Sequence, residues 1–345
     1  MAQRGSIAKK LVLAIGCAVL ALAGAELWFR FGRPIEWMRI RTMDSEARGG
    51  WYGLIHRRSS VPGLAYELVP GLDQEAVGVH VATNSLGMRD AEPLTRSTPG
   101  LFRILAIGDS VTFGYRVAED QGFCSVLEHG LASEPPAARR FEVLDTGVSG
   151  YSSKDEAAAF EGKWLALEPD LVLLCYCMND PEFEARQPLQ RFFVEPHWWQ
   201  HSSLLRYLVQ RREGRKVREL GGGNYFRYLH APSEPSWKSV EAAFARIGER
   251  AREKHIRLVL AIFPMFSPDP WKDYPFREQH GQVAREGERD GFLVLDLLPR
   301  FEREEPKSLL IDLDDSHPNP GGHRIAAEEI ERFIVEHWGE LAAGQ

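Results

Sequence analysis

Cysteine is scarce in this 345-residue chain, with four at positions 17, 124, 175 and 177. Cys17 lies inside an apolar N-terminal run, and the other three imply no disulfide framework. Cys175 and Cys177 sit two apart in an expected strand and share one face, a spacing of neither a metal knuckle nor a redox C-x-x-C pair; they read as core filling. An excess of basic charge is also lacking. With 42 Lys and Arg against 49 Asp and Glu, the net charge is -7. Binding to phosphate backbones needs a basic face, so a nucleic-acid partner is set aside. Apolar residues, in contrast, are plentiful. A chain that is 44% hydrophobic and 26% charged has the composition of a folded protein with a sizeable core. Its length allows roughly two domains, or one large domain with additions.

Long hydrophobic runs are confined to one place. From Leu11 to Phe29 the sequence reads LVLAIGCAVLALAGAELWF, with Glu26 its one charge, after Arg4, Lys9 and Lys10. A helix of about 20 such residues crosses the hydrocarbon core of a bilayer. Ala23-Gly24-Ala25 is also a small-residue pattern at which a secretory signal is cut. The length of the run and the interfacial exit Trp28-Phe29-Arg30 favour an uncleaved, single-pass transmembrane anchor over residues 1–32. Arg30, Arg33, Arg39 and Arg41 balance the basic residues ahead of the run, so charge does not set the orientation. A short tail leading into an export-type segment places the rest of the chain outside, in a periplasmic or extracellular position.

Residues 33–100 are rich in Gly, Pro and short alternating stretches, and read as a β-rich or irregular arm and linker. Within them TNSLGMRD, Thr83 to Asp90, looks like a turn, and no function follows from it alone. Beyond Gly100 short apolar runs alternate with helical stretches. The runs are 102–108, 141–147, 171–177, 256–264 and 292–298; helix-like spacing covers 123–132, 154–167 and 240–254. Near-continuous apolar strands mean a parallel sheet covered on both faces. The expected fold over 101–340 is α/β: a doubly wound, flavodoxin-like, three-layer α/β/α sandwich on a five-stranded parallel sheet. Such sheets bind ligands at the carboxyl ends of their strands. Residues 181–236 interrupt the pattern as an insertion holding Phe192, Phe193, Trp198 and Trp199, which suit either a cleft lining or a small satellite core. Arg211 to Arg218, with five basic residues in eight, suits an anionic surface or a solvated helix face.

Four strand ends carry polar residues. After the first comes Gly108-Asp109-Ser110. A serine at a strand-to-helix turn presents its hydroxyl above the sheet, with helical N–H groups behind it. The second ends in Asp145-Thr146-Gly147-Val148-Ser149-Gly150-Tyr151, where glycines let backbone approach a ligand or form a plain turn. Asn179, in Met178-Asn179-Asp180 after the third, suits a donor towards developing negative charge as well as a turn or cap. Beyond the fifth, Asn319-Pro320 starts a helix as N-cap and N1 and holds His317 in the loop before it. Asp314, three residues earlier, has the spacing to accept the second ring N–H of His317 and fix its tautomer. A metal set of Asp314, His317 and His323 lacks further recognisable ligands. His323 reads as packing or capping in the last helix's first turn.

In this order, GDSVTFGY, GVSGY, MND and DDSHPNPGGH resemble the blocks of the SGNH, or GDSL-like, hydrolase superfamily over residues 102 to about 338. The anchor, the TNSLGMRD arm and the aromatic insertion resemble a membrane-anchored branch of it. The resemblance implies a cofactor-independent serine esterase without a metal. Ser110 would be its nucleophile, His317 its general base and Asp314 the orienting acid, with the oxyanion held by the Ser110 N–H, the Gly150 N–H and the Asn179 side chain. Two positions depart from the pattern: Asp145 stands where Asn is common, and Cys177-Met178 replaces small residues. The implied partners are the membrane and an ester substrate, an acylated glycan or lipid such as acetylated envelope polysaccharide. An O-acyltransferase would use the same site, and a non-catalytic surface binding protein is the alternative of a different class.

Overall fold

In the computed structural model, residues 2–39, 52–133, 136, 139–182, 188–194 and 196–342 are described. Residues 40–51 of the arm and 183–187 and 195 of the insertion lie outside them.

Five apolar runs form one parallel sheet: β5 (Leu101–Gly108), β6 (Arg140–Asp145), β7 (Leu171–Tyr176), β8 (Arg257–Ile262) and β9 (Leu293–Asp296), in the order β6-β5-β7-β8-β9. All eight residues of β5 and all six of β7 are buried. The chain steps from β5 to β6 on one side, then back past β5 to β7 on the other. Because such crossovers are right-handed, this reversal puts helices on both faces. α3 (Phe123–Ser133) packs on α8 (Pro320–Glu336); α4 (Ser153–Gly162), α6 (Pro235–Lys254) and α7 (Arg277–Asp290) pack in succession. The result is the doubly wound three-layer α/β fold. Between β5 and β6 the chain turns through α2 (Ser110–Phe113), a single helical turn.

Some boundaries shift for local reasons. The second run stops pairing at Asp145, so Thr146 and Gly147 belong to the following turn. α6 starts at Pro235, inside the expected insertion, because Pro is suited to the first helical position and Ser236 and Trp237 are already buried. α7 was not marked by periodicity, since its REQHGQVAREGERD buries only Gln279, His280, Val283, Glu286 and Gly287.

Residues 56–82 make two antiparallel hairpins: β1 (His56–Arg58) with β2 (Tyr66–Leu68), and β3 (Asp73–Ala76) with β4 (Val79–Ala82). Ile55, Tyr66, Leu68, Val81 and Met88 join the same buried cluster as the central strands. Phe192 and Phe193 enter that cluster too, Phe193 stacking on Tyr66 at 5.0 Å, whereas Trp198 is 79% exposed.

The N-terminal helix α1 (Ala2–Leu27) continues through a π-helical turn to Gly32, and the stretch Lys9–Gly32 is long and apolar enough to cross a membrane. Its far end is not isolated. Glu26 accepts hydrogen bonds from Ser202 Oγ (2.8 Å), Ser203 N (3.0 Å) and Leu204 N (2.9 Å), at the start of α5 (Ser203–Gly221). Arg30 bonds Glu26 and the His201 carbonyl, and Phe29 stacks on Tyr207 at 4.3 Å. The lone acid of the apolar run therefore caps a helix of the insertion.

Candidate active site

β5 delivers the first group. Asp109 caps α2, its Oδ1 accepting the Val111 N–H at 2.9 Å, and Ser110 follows as the first helical residue. The turn is crowded. A Cβ on Gly147 would lie 2.3 Å from Phe113 N, so only glycine lets the turn after β6 close on α2. That turn is tied to the strand by the Val148 N–H to the Gly108 carbonyl at 3.1 Å, and Gly150 takes φ 78° within it while its carbonyl accepts from Gln190 Nε2.

The loop before α8 delivers the second group. Asn319 caps α8 through the Gly322 N–H and donates its amide to the carbonyls of Ser308 (2.8 Å) and Leu310 (3.1 Å). A bridge between Leu310 and Pro318 and the bond from the Ile311 N–H to the His317 carbonyl close the loop at its base. His317 is thereby aimed at α2, its Nε2 2.8 Å from Ser110 Oγ. Tyr115 packs against the imidazole at 4.6 Å between ring centres.

The acid beside His317 is Asp315, not Asp314. Asp315 Oδ1 lies 2.6 Å from His317 Nδ1 and also accepts the His317 backbone N–H at 3.0 Å. The two-residue spacing makes an Asx-type turn that folds the carboxylate under the ring, and the Asp315 N–H to Asp312 carbonyl bond turns Asp314 out to solvent. The His317 bond, with help from its charge and from Arg116, holds the Asp315 carboxyl down at about 2. The adjacent acids of Asp314-Asp315 differ in sequence only by register, so spacing alone did not separate them.

Asn179 reaches the same place from the end of β7. Its Nδ2 donates to Asp109 Oδ2 at 2.8 Å, the oxygen that also lies 3.3 Å from Ser110 Oγ. Ser110, His317 and Asn179 are thus brought together, with Gly150 in the turn packed against α2. Behind Asn179, Asp180 Oδ2 accepts the Cys177 N–H at 2.9 Å. Asp109, Cys177 and Asp180 place possible ligand atoms within 4.8 Å of one another. Asp109 already serves Val111, Asn179 and Ser110, so this trio works as a hydrogen-bonding hub. Burial pushes the Asp180 and Glu156 carboxyls well up, each further raised by neighbouring acids. His323 is buried away from the ring of His317: its Nδ1 accepts the Phe123 N–H at 3.2 Å, and burial drives it down to about 3.

Two further neighbours carry no signal in the sequence beyond the turn motif to which they belong. Arg89 and Asp90 close TNSLGMRD. Arg89 is buried and its guanidinium donates to the carbonyls of Phe113 and Gly114 (both 2.9 Å) and Val117 (2.7 Å), around the end of α2. Asp90, pushed up to about 7 by burial, accepts the Asp145 N–H at 2.9 Å. Asp145 in turn accepts the Gly147 N–H through Oδ1, a role an Asn oxygen also fills.

A model of the GDSL-like lipase/acylhydrolase family matches residues 106–325, more than half of the chain and every group from Ser110 to His317. The chain belongs to this family. It is accordingly a serine hydrolase, an esterase of the SGNH superfamily. No curated protein matches this GDSL-like hydrolase. Among solved structures, an α/β hydrolase from the metagenome of Lake Arreo, Spain, is 19% identical and similar over 68% of this chain and 94% of its own, with a TM-score of 0.44. A catalytic mutant of an acetylxylan esterase from Geobacillus stearothermophilus is 18% identical over 68% and 94% of the two chains, with a TM-score of 0.43.

Proposed function

We propose that this hydrolase cleaves an acyl ester through an acyl-enzyme on Ser110, with His317 as general base and Asp315 as the acid that orients it. The observation that carries the reading is the unbroken chain from Ser110 Oγ to His317 Nε2 (2.8 Å) and from His317 Nδ1 to Asp315 (2.6 Å). As Ser110 Oγ attacks the ester carbonyl, its proton passes to His317 Nε2, and the carbonyl π electrons move onto oxygen. Asp315 stabilises the imidazolium that results. The tetrahedral oxyanion is held by the Ser110 and Gly150 N–H groups and by Asn179 Nδ2, which turns from Asp109 to meet it. Collapse of the intermediate breaks the ester C–O bond, and the leaving alkoxide takes the proton from His317. Water, deprotonated by His317, then releases the acid and restores Ser110.

The substrate class we favour is an acetylated envelope or extracellular polysaccharide, or a lipid ester, supported by an N-terminal helix long and apolar enough to cross a membrane. We read α1 as an uncleaved, single-pass anchor with the catalytic domain on the periplasmic or extracellular side.

The test is chemical. A fluorophosphonate should label the native protein, and Ser110→Ala and His317→Ala should each abolish turnover of short-chain acyl esters, by on the order of a millionfold, with effects that do not add. A Ser110→Ala protein that keeps more than a few per cent of its activity would move the nucleophile elsewhere, Ser149 first.

A further inference from the structure

The loop between α2 and the next helix contains an anomaly. Arg116 adopts φ +60°, a left-handed conformation that costs a side-chain-bearing residue roughly 1–2 kcal/mol. Such strain persists only where the surroundings impose it. On the buried side, the Arg89 guanidinium takes the carbonyls of Phe113, Gly114 and Val117, on both flanks of Arg116. On the outer side, a single Arg116 nitrogen, Nη1, reaches Asp312 Oδ2 at 2.7 Å and Asp315 Oδ2 at 3.2 Å. The neighbouring residue, Tyr115, packs on His317.

We propose that Arg116 is a positioning residue that ties the Asp312–Asp315 loop to the nucleophile loop and so holds Asp315 in line with His317. The inference rests on the catalytic reading above and deepens it. Asp315 offers two oxygens with divided duties: Oδ1 faces the imidazole while Oδ2 faces Arg116. Without Arg116, Oδ2 of the carboxylate loses this partner and the bonds of Oδ1 to His317 are left to hold it, while the acidic loop, with Asp312 and Asp314 exposed, repels itself outwards. The nucleophile and its base come from chain segments 207 residues apart, and Arg116 pins one to the other at the level of their side chains. Arg89 acts one step further back, fixing the backbone that aims Arg116. TNSLGMRD thereby gains a role: its arginine seats the loop that organises the acid–base pair.

Three variants separate positioning from plain structural support. Arg116→Gly removes the bridge but also relieves the left-handed backbone, so Tm should stay level or rise while kcat falls by about tenfold to a hundredfold with KM little changed. Arg116→Lys should stay within about threefold of native, because one ammonium nitrogen can meet both carboxylates as Nη1 does. In an Asp315→Ala background, Arg116→Gly should cost less than about twofold more, because the residue acts through an acid that is no longer there. Equal losses in both backgrounds, a change in KM alone, or full activity in Arg116→Gly would each overturn the proposal. Failure of the catalytic reading would look different: the native protein would then escape fluorophosphonate labelling before any Arg116 variant was compared.

Discussion

Within the site, residue chemistry was legible wherever one side-chain type has few alternatives. A serine after a strand, an asparagine after β7 and a histidine just before a helix whose N-cap is Asn319 stand out because each sits at a strand end or helix start on the ligand-binding edge of such a sheet. The carboxylate that meets His317 is Asp315 where the spacing pointed to Asp314, since D-D offers two candidates and only the Asx turn at His317 chooses between them. Buried acids were beyond reach from sequence, because burial is a property of packing. Glu156 is fully buried on α4, and among the described residues neither of its carboxylate oxygens has a partner. Burial, then Asp109 and Asp155, hold its pKa well above 4.5. In the unfolded chain it ionises near pH 4.5, whereas in the folded protein it keeps its proton to much higher pH. Unfolding therefore releases a proton in that window, and stability falls as pH rises, by about 1.4 kcal/mol per unit for one such group. Gln at 156 carries no titrating proton. Glu156→Gln should thus raise Tm more at pH 8 than at pH 5, and an equal change at both values would show that the carboxyl ionises in place.

At the scale of elements, strands were easier to read than helices. A parallel strand buried on both faces announces itself as an unbroken apolar run, as LVLLCY does in β7. α7 hides because it is almost wholly polar; α5 carries the basic run that suits a solvated helix face, but its length is obscured because it buries only Ser203, Arg206 and Gly221. What stabilises α5 at its start comes from far away in sequence, the carboxylate of Glu26 on its first N–H groups. Ser202 adds a local cap through the Leu205 N–H at 3.1 Å. Two caps on one helix end make the contribution of each measurable by its loss. Glu26→Ala should cost α5 about 1 kcal/mol and speed amide exchange at Ser203 and Leu204 while leaving the β5 and β7 amides unchanged. Unaltered exchange at those two amides would mean that α1 and α5 do not dock in solution.

For the whole molecule, the α/β body and its membrane-like N-terminus are separable by position, and their separation can be measured. The groups assigned to chemistry lie between Ser110 and His317, on a sheet whose core is built from residues well past the apolar run. The arm cannot be trimmed in the same way, because Tyr66, Val81 and Met88 lie in that core and Arg89 braces α2. A version beginning at Arg33 keeps all of this and loses α1, its cap on α5 and the contacts of Phe29 with Tyr207 and of Arg30 with the His201 carbonyl. The full chain should therefore partition with membranes, while the version from Arg33 should be soluble, melt slightly earlier through the uncapped α5, and hydrolyse small esters within about threefold of the full chain. Mass measurement of the membrane-purified protein gives the companion result, since an uncleaved anchor retains residues ahead of Glu26. A mature N-terminus at Glu26 would instead make α1 a signal segment, and a misfolded version from Arg33 would mean that Glu26, Phe29 and Arg30 hold the enzyme together as well as holding it to the membrane.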